Sequence, residues 1–118
     1  MQQAGSCLCR KVRFTVLGDP FQYVVCHCNL SVTAGKDLVR QYHDSDTASG
    51  NTLTRSFCSE CGTSLFLSSP TKTDWISVCP ATVDQAQDWV PRRENRPDAK
   101  FSWVTELHMA PEDKAEKL

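Results

Sequence analysis

Seven cysteines stand in a chain of 118 residues, and their spacing sorts them into groups with different chemistry. Cys58-Ser59-Glu60-Cys61 carries two thiols separated by two residues, with Gly62 directly after them. This spacing lets two thiolates face one metal ion while backbone N–H groups of the turn donate to the sulfurs. Gly62 suits the left-handed backbone that such a turn often needs. Two ligands leave a tetrahedral site half built, and Cys7 and Cys9 are the natural complement. The expectation is a closed structural zinc site at Cys7, Cys9, Cys58 and Cys61, contributing folding free energy and no catalysis. Two disulfides, or four separate core thiols, are the alternatives for the same residues.

Cys26-His27-Cys28 forms a second group. Neighbouring strand residues point to opposite faces, so Cys26 and Cys28 share one face and His27 points away. Two thiolates, one further protein ligand and an open fourth position make the arrangement of a catalytic zinc. Ser31 stands where a third cysteine would complete a C-x-C-x-x-C spacing, and a hydroxyl is a poor zinc ligand beside thiolates. The pair therefore reads either as part of a second metal site or as two thiols that can form a labile disulfide. Cys79 reads first as a packed core thiol and alternatively as a replacement third ligand for Cys26 and Cys28. His27 could serve in hydrogen bonding or acid–base chemistry, whereas His43 and His108 read as surface residues. Arg92, Arg93 and Arg96 read as a solvated face, with recognition of a substrate carboxylate as the alternative. There is no glycine-rich phosphate loop and no serine-hydrolase elbow.

Short β-strands must position these residues. Residues 11–16 alternate polar and apolar, Gly18-Asp19-Pro20 makes a turn, and residues 21–25 run as a second strand into Cys26. Residues 29–37 read as a loop, 38–42 as a strand, and 43–51 as a long polar connection able to border a pocket. Residues 52–57 deliver Cys58, residues 64–68 leave the knuckle as a strand, and 74–79 form a buried strand ending at Pro80. One short helical turn fits within 82–89, and residues 100–104 alternate once more. Trp75, Trp89, Trp103, Phe14, Phe57 and Phe66 are the candidate aromatic core. The fold class is all-β, mainly antiparallel, with very little helix. A single zinc-binding domain is expected over residues 1–110, followed by a charged tail over 111–118.

Thirteen basic against fourteen acidic side chains argue against a dedicated nucleic-acid or membrane-surface binder. An odd number of cysteines fits a pure disulfide framework poorly, and the sequence shows neither an apolar signal core nor a run of transmembrane length. A reducing, cytoplasmic setting is expected, where clustered cysteines bind metal more often than they pair.

Three ordered motifs carry a resemblance. Gly5-Ser6-Cys7-Leu8-Cys9, then Cys26-His27-Cys28, then Arg55 to Leu65 with its Phe57-Cys58-x-x-Cys61-Gly62 core resemble the glutathione-dependent formaldehyde-activating enzyme family, which includes centromere protein V. Asp84 and the stretch from Arg96 to Trp103 are weaker echoes of the same family. The resemblance implies a small antiparallel β fold with two zinc sites. It assigns Cys7, Cys9, Cys58 and Cys61 to the structural zinc and Cys26 and Cys28 to the catalytic one. It implies a carbon–sulfur lyase acting on the adduct of glutathione with an aldehyde such as formaldehyde, or a related small-molecule thiol adduct. The family pattern reads Cys-His-Cys-x-x-Cys followed by a longer stretch before the next strand. Here Ser31 replaces the third cysteine and only residues 29–37 separate Cys28 from the strand at Leu38. The rival expectation is a protein that keeps only the structural zinc and serves as a non-catalytic binding or chaperone-like module. Chromatin binding by analogy with centromere protein V ranks last, because the basic surface it needs is missing.

Overall fold

The computed structural model describes residues 2–18, 24–91, 96–106 and 109, leaving aside the side chains of Val24, Cys26, His27 and Asp88. Arg92, Arg93, His108 and the charged tail over 111–118 lie outside the described residues. Eight strands run in chain order: β1 (Gln2–Ser6), β2 (Arg13–Leu17), β3 (Val24–Cys26), β4 (Leu30–Ala34), β5 (Val39–Asp44), β6 (Leu53–Cys58), β7 (Ser64–Ser68) and β8 (Trp75–Val78). Short 3-10 turns connect several of them, and no α-helix occurs among the described residues. The all-β expectation is met.

The strands form two antiparallel sheets, one ordered β1-β2-β4 and the other β3-β8-β7-β6-β5. Inward-facing residues alternate along β1, β2, β6 and β8, as a half-buried pleat requires. In β2 these are Phe14 and Val16, and in β8 they are Ile76 and Val78. Phe14 of the first sheet meets Phe66 of the second edge-on, with ring centroids 5.1 Å apart and planes at 78°. That geometry places the positive edge of one ring on the negative face of the other. Gly5 of β1 forms an isolated antiparallel bridge to Val83, beyond β8. A Cβ at Gly5 would strike the Phe14 ring and lie 2.8 Å from the Thr82 carbonyl oxygen, so the approach requires glycine.

Two expectations are corrected, and one strand is new. Residues 30–34, expected as loop, are β4, paired along β2 with Val16 opposite Leu30 and Phe14 opposite Val32. Leu30 and Val32 pack against the core, so a short apolar alternation bounded by Asn29 and Gly35 carried the strand signal. β1 carries no strand signal in the sequence, because Gln2-Gln3-Ala4-Gly5-Ser6 has no hydrophobic period; pairing with β2 makes the strand. Residues 100–104 form a turn instead of a strand, and Trp103 is 77% exposed, stacked on Phe101 at 5.9 Å, so it is not core. Phe14 and Phe66 are buried, while Phe57, Trp75 and Trp89 are half-buried.

Candidate metal centre

Four sulfurs meet where two hairpin tips converge. Cys7 and Cys9 lie in the connection between β1 and β2, and Cys58 and Cys61 lie at the turn between β6 and β7. The Sγ atoms of all four lie within 4.8 Å of one another. Cys7 and Cys9 are 3.4 Å apart, and Cys9 and Cys58 are 3.8 Å apart. Sulfurs placed about 2.3 Å from a tetrahedral zinc are separated by about 3.8 Å, so the spacing fits such an ion. These four cysteines and Cys79 are free thiols, which sets the disulfide alternative aside for them.

Local backbone bonding explains why the sequence folds this way. In the first tip the Cys7 N–H donates to the Val12 carbonyl at 3.1 Å and the Arg10 N–H to the Cys7 carbonyl at 3.0 Å. The Val12 N–H donates to the Cys7 sulfur at 3.3 Å, and Val12 itself is fully buried, so the tip is pinned from beneath. In the second tip the Gly62 N–H reaches the Cys58 carbonyl at 2.8 Å and the Cys58 N–H reaches the Thr63 carbonyl at 3.0 Å. Gly62 has φ of 77°, the left-handed backbone expected of it. The Cys61 sulfur lies 3.1 Å from the Thr63 hydroxyl oxygen. Cys7 and Cys58 are buried while Cys9 is exposed, so one side of the cluster faces solvent.

Crowding of ionisable sulfurs separates their proton affinities. Hydrogen bonds from the Thr63 side chain, then from backbone N–H groups at Cys9 and Thr63, hold the Cys61 thiol down at about 5. At Cys9 a bond from the Lys11 N–H favours the thiolate, but desolvation and the neighbouring sulfurs of Cys7, Cys61 and Cys58 outweigh it and push the thiol up to about 12. Burial opposes ionisation of Cys7, yet hydrogen bonds from Val12, Cys9 and Cys58 bring its thiol below the ordinary value. A divalent cation replaces this mutual repulsion by attraction to one centre.

The second cysteine group is arranged differently from the sequence expectation. β3 ends at Cys26, and His27–Asn29 forms a single 3-10 turn, so the strand alternation that would put Cys26 and Cys28 on one face does not continue. Cys28 is exposed and its sulfur lies 3.7 Å from the Asn29 side-chain oxygen. The side chains of Cys26 and His27 are outside the described residues. Ser31 is exposed on β4, with Thr15 as its strand partner. Cys79 is half-buried, follows β8 directly, and donates its N–H to the Leu65 carbonyl at 2.8 Å. Cys26 pairs with Trp75 at the opposite end of β8. The four residue steps of extended chain from Trp75 to Cys79 span about 13 Å, more than two cysteine side chains can bridge to one ion. Cys79 instead lines a cavity of about 690 Å³ that also touches Cys7, Thr63 and Asp84. His43 is exposed, as expected, with Nδ1 at 3.1 Å from the Thr54 hydroxyl. Arg96 is exposed and pairs with Asp98 at 3.1 Å.

Thr63 and Val12 escaped the sequence reading. The available signal for Thr63 was a hydroxyl two residues beyond a metal-spaced cysteine, inside a turn where donors must face the sulfurs.

Two antiparallel sheets joined at a four-cysteine cup with the spacing to hold a metal ion define a class of small β protein. Within that class the chain belongs to the glutathione-dependent formaldehyde-activating enzyme family, whose pattern it matches over residues 2–30 and 29–99. The two matched stretches overlap at residues 29–30, directly after Cys28. Direct comparison with curated proteins gives no match.

Proposed function

We propose that this protein is a zinc-dependent carbon–sulfur lyase acting on the adduct of glutathione with an aldehyde, of the S-hydroxymethylglutathione kind. The observation that carries this reading is the family match, which runs through both cysteine groups. Cys7, Cys9, Cys58 and Cys61 would hold a structural zinc, supported by the spacing of their sulfurs within 4.8 Å. Cys26 and Cys28 would belong to the catalytic metal. A bound zinc with an open position supplies Lewis acidity. In the reaction the carbon–sulfur bond breaks with its electron pair on sulfur, and the hydroxyl proton passes to the glutathione thiolate. The small-molecule thiol adduct is thus the expected partner, in a reducing cytoplasmic setting. No helix among the described residues is long and apolar enough to cross a membrane.

A second reading, a non-catalytic binding or chaperone-like module, is favoured by one feature. Ser31 lies in the paired strand β4 at the position of the third cysteine, where it offers only a hydroxyl. Metal content per chain separates the two readings. Two zincs falling to one in a Cys26→Ala, Cys28→Ala variant, together with loss of adduct cleavage followed by NMR of labelled formaldehyde, is the expected result. One zinc in both proteins, and no cleavage in either, leaves the module.

A further inference from the structure

Thr63 touches both halves of the four-cysteine cup. Its backbone carbonyl accepts the Cys58 N–H at 3.0 Å. Its hydroxyl oxygen accepts the Leu8 N–H at 3.1 Å, across 55 residues of sequence. The same oxygen lies 3.1 Å from the Cys61 sulfur. A hydroxyl has one hydrogen and two lone pairs. With a lone pair engaged by Leu8, the hydrogen remains for the sulfur, and a thiolate there can only accept.

Leu8 sits between the ligands Cys7 and Cys9, and its side chain is 83% exposed, so no apolar burial anchors the tip at that residue. A Lys11–Glu60 ion pair also spans the two tips, but at 3.9 Å between half-exposed side chains it contributes little. We infer that the Thr63 hydroxyl is a positioning residue for the metal centre, clasping the Cys7–Cys9 tip to the Cys58–Cys61 tip and fixing the direction of the Cys61 sulfur. It deepens the assignment of a metal to these four cysteines and rests on that assignment. Partners of this kind, which orient a ligand without touching the ion, are worth about 10- to 100-fold in metal affinity.

The test separates the hydroxyl from the methyl group of the side chain. Thr63→Val keeps the branched shape and removes the hydroxyl, and Thr63→Ser does the reverse. In competition with a chelator, Thr63→Val is expected to hold zinc about 10- to 100-fold more weakly than the native protein, with Thr63→Ser close to native. Cobalt substitution gives a spectroscopic readout: losing a hydrogen bond makes one thiolate a stronger donor, so the sulfur-to-cobalt band shifts in the valine variant and stays in place in the serine variant. Hydrogen exchange at the Leu8 amide should quicken only in the valine variant. Native-like zinc binding by Thr63→Val overturns the inference, and so does a serine variant as weak as the valine one. If the valine variant does not fold, the serine variant decides: retained zinc affinity with a protected Leu8 amide supports the clasp, and loss of either overturns it. A native protein that takes up neither zinc nor cobalt would instead sink the four-cysteine site itself, and the clasp with it.

Discussion

At the cluster the proton affinities of Cys61 and Cys9 are driven apart by their surroundings. The Thr63 hydroxyl beside Cys61 keeps that thiol down at about 5, while desolvation and then the neighbouring sulfurs hold Cys9 up at about 12. Near neutral pH the metal-free cup therefore presents Cys61 as thiolate and Cys9 as thiol. A metal needs every ligand deprotonated, so binding expels the Cys9 proton, and linkage makes affinity rise with pH. Adding zinc to metal-free protein in weakly buffered solution near pH 7 should release at least one proton per ion. Affinity should fall as pH is lowered and steepen below about 5, where Cys61 also protonates. A proton count of zero, or affinity flat with pH, would contradict these assignments. Residue chemistry was also the part most legible in the sequence. Cys58-x-x-Cys61-Gly62 announced its turn because ligand spacing and a left-handed glycine are local requirements. Thr63 was not legible, because its partner Leu8 is 55 residues away and only the fold brings them together.

At the scale of elements, legibility followed hydrophobic period. β7 fell where expected, over Ser64–Ser68, and β8 over Trp75–Val78 lay within the stretch read as a buried strand. β1 was missed because Gln3 and Gly5 fill its buried positions, and neither announces a core. The aromatic alternation over 100–104 misled for the opposite reason: a period-two pattern forms a strand only where a neighbour can pair with it, and here Phe101 and Trp103 stack on each other in the open. At Cys26-His27-Cys28 the expected strand gives way to a 3-10 turn over His27–Asn29, so the strand alternation stops at Cys26. β1 owes its place to close approach. Gly5→Ala would force a methyl group into the Phe14 ring and the Thr82 carbonyl. Overpacking of this kind costs about 1–3 kcal/mol, and denaturant unfolding of the metal-loaded variant should show that loss. Unchanged stability would mean that β1 can withdraw from the second sheet without penalty.

For the molecule as a whole, two sheets share a small core, with Phe14, Leu65, Val12 and Cys58 as its largest fully buried side chains. A core of this size supplies limited stability, and a metal that binds only the folded arrangement adds to it by mass action. The ion would join one hairpin tip from each sheet, so its removal acts on the relation between sheets more than on either alone. Stripping the metal with a strong chelator should lower the melting temperature by on the order of 10 °C or more, with recovery on adding zinc back. An unchanged melting curve after verified metal removal would show that the Phe14–Phe66 contact and the Gly5–Val83 bridge hold the sheets together unaided.

The separation of 49 positions from Cys9 to Cys58 also sets an order of events at birth. During synthesis the first two sulfurs emerge well before the second two, at roughly 5–20 residues per second. For some seconds the nascent chain carries half a cup, able to engage an ion loosely or to be oxidised. Only when the second hairpin tip has left the ribosome can four ligands close around one ion. The metal would then act as a timer, fixing the two ends of the β1–β7 segment together at the moment when most of both sheets has become available to fold.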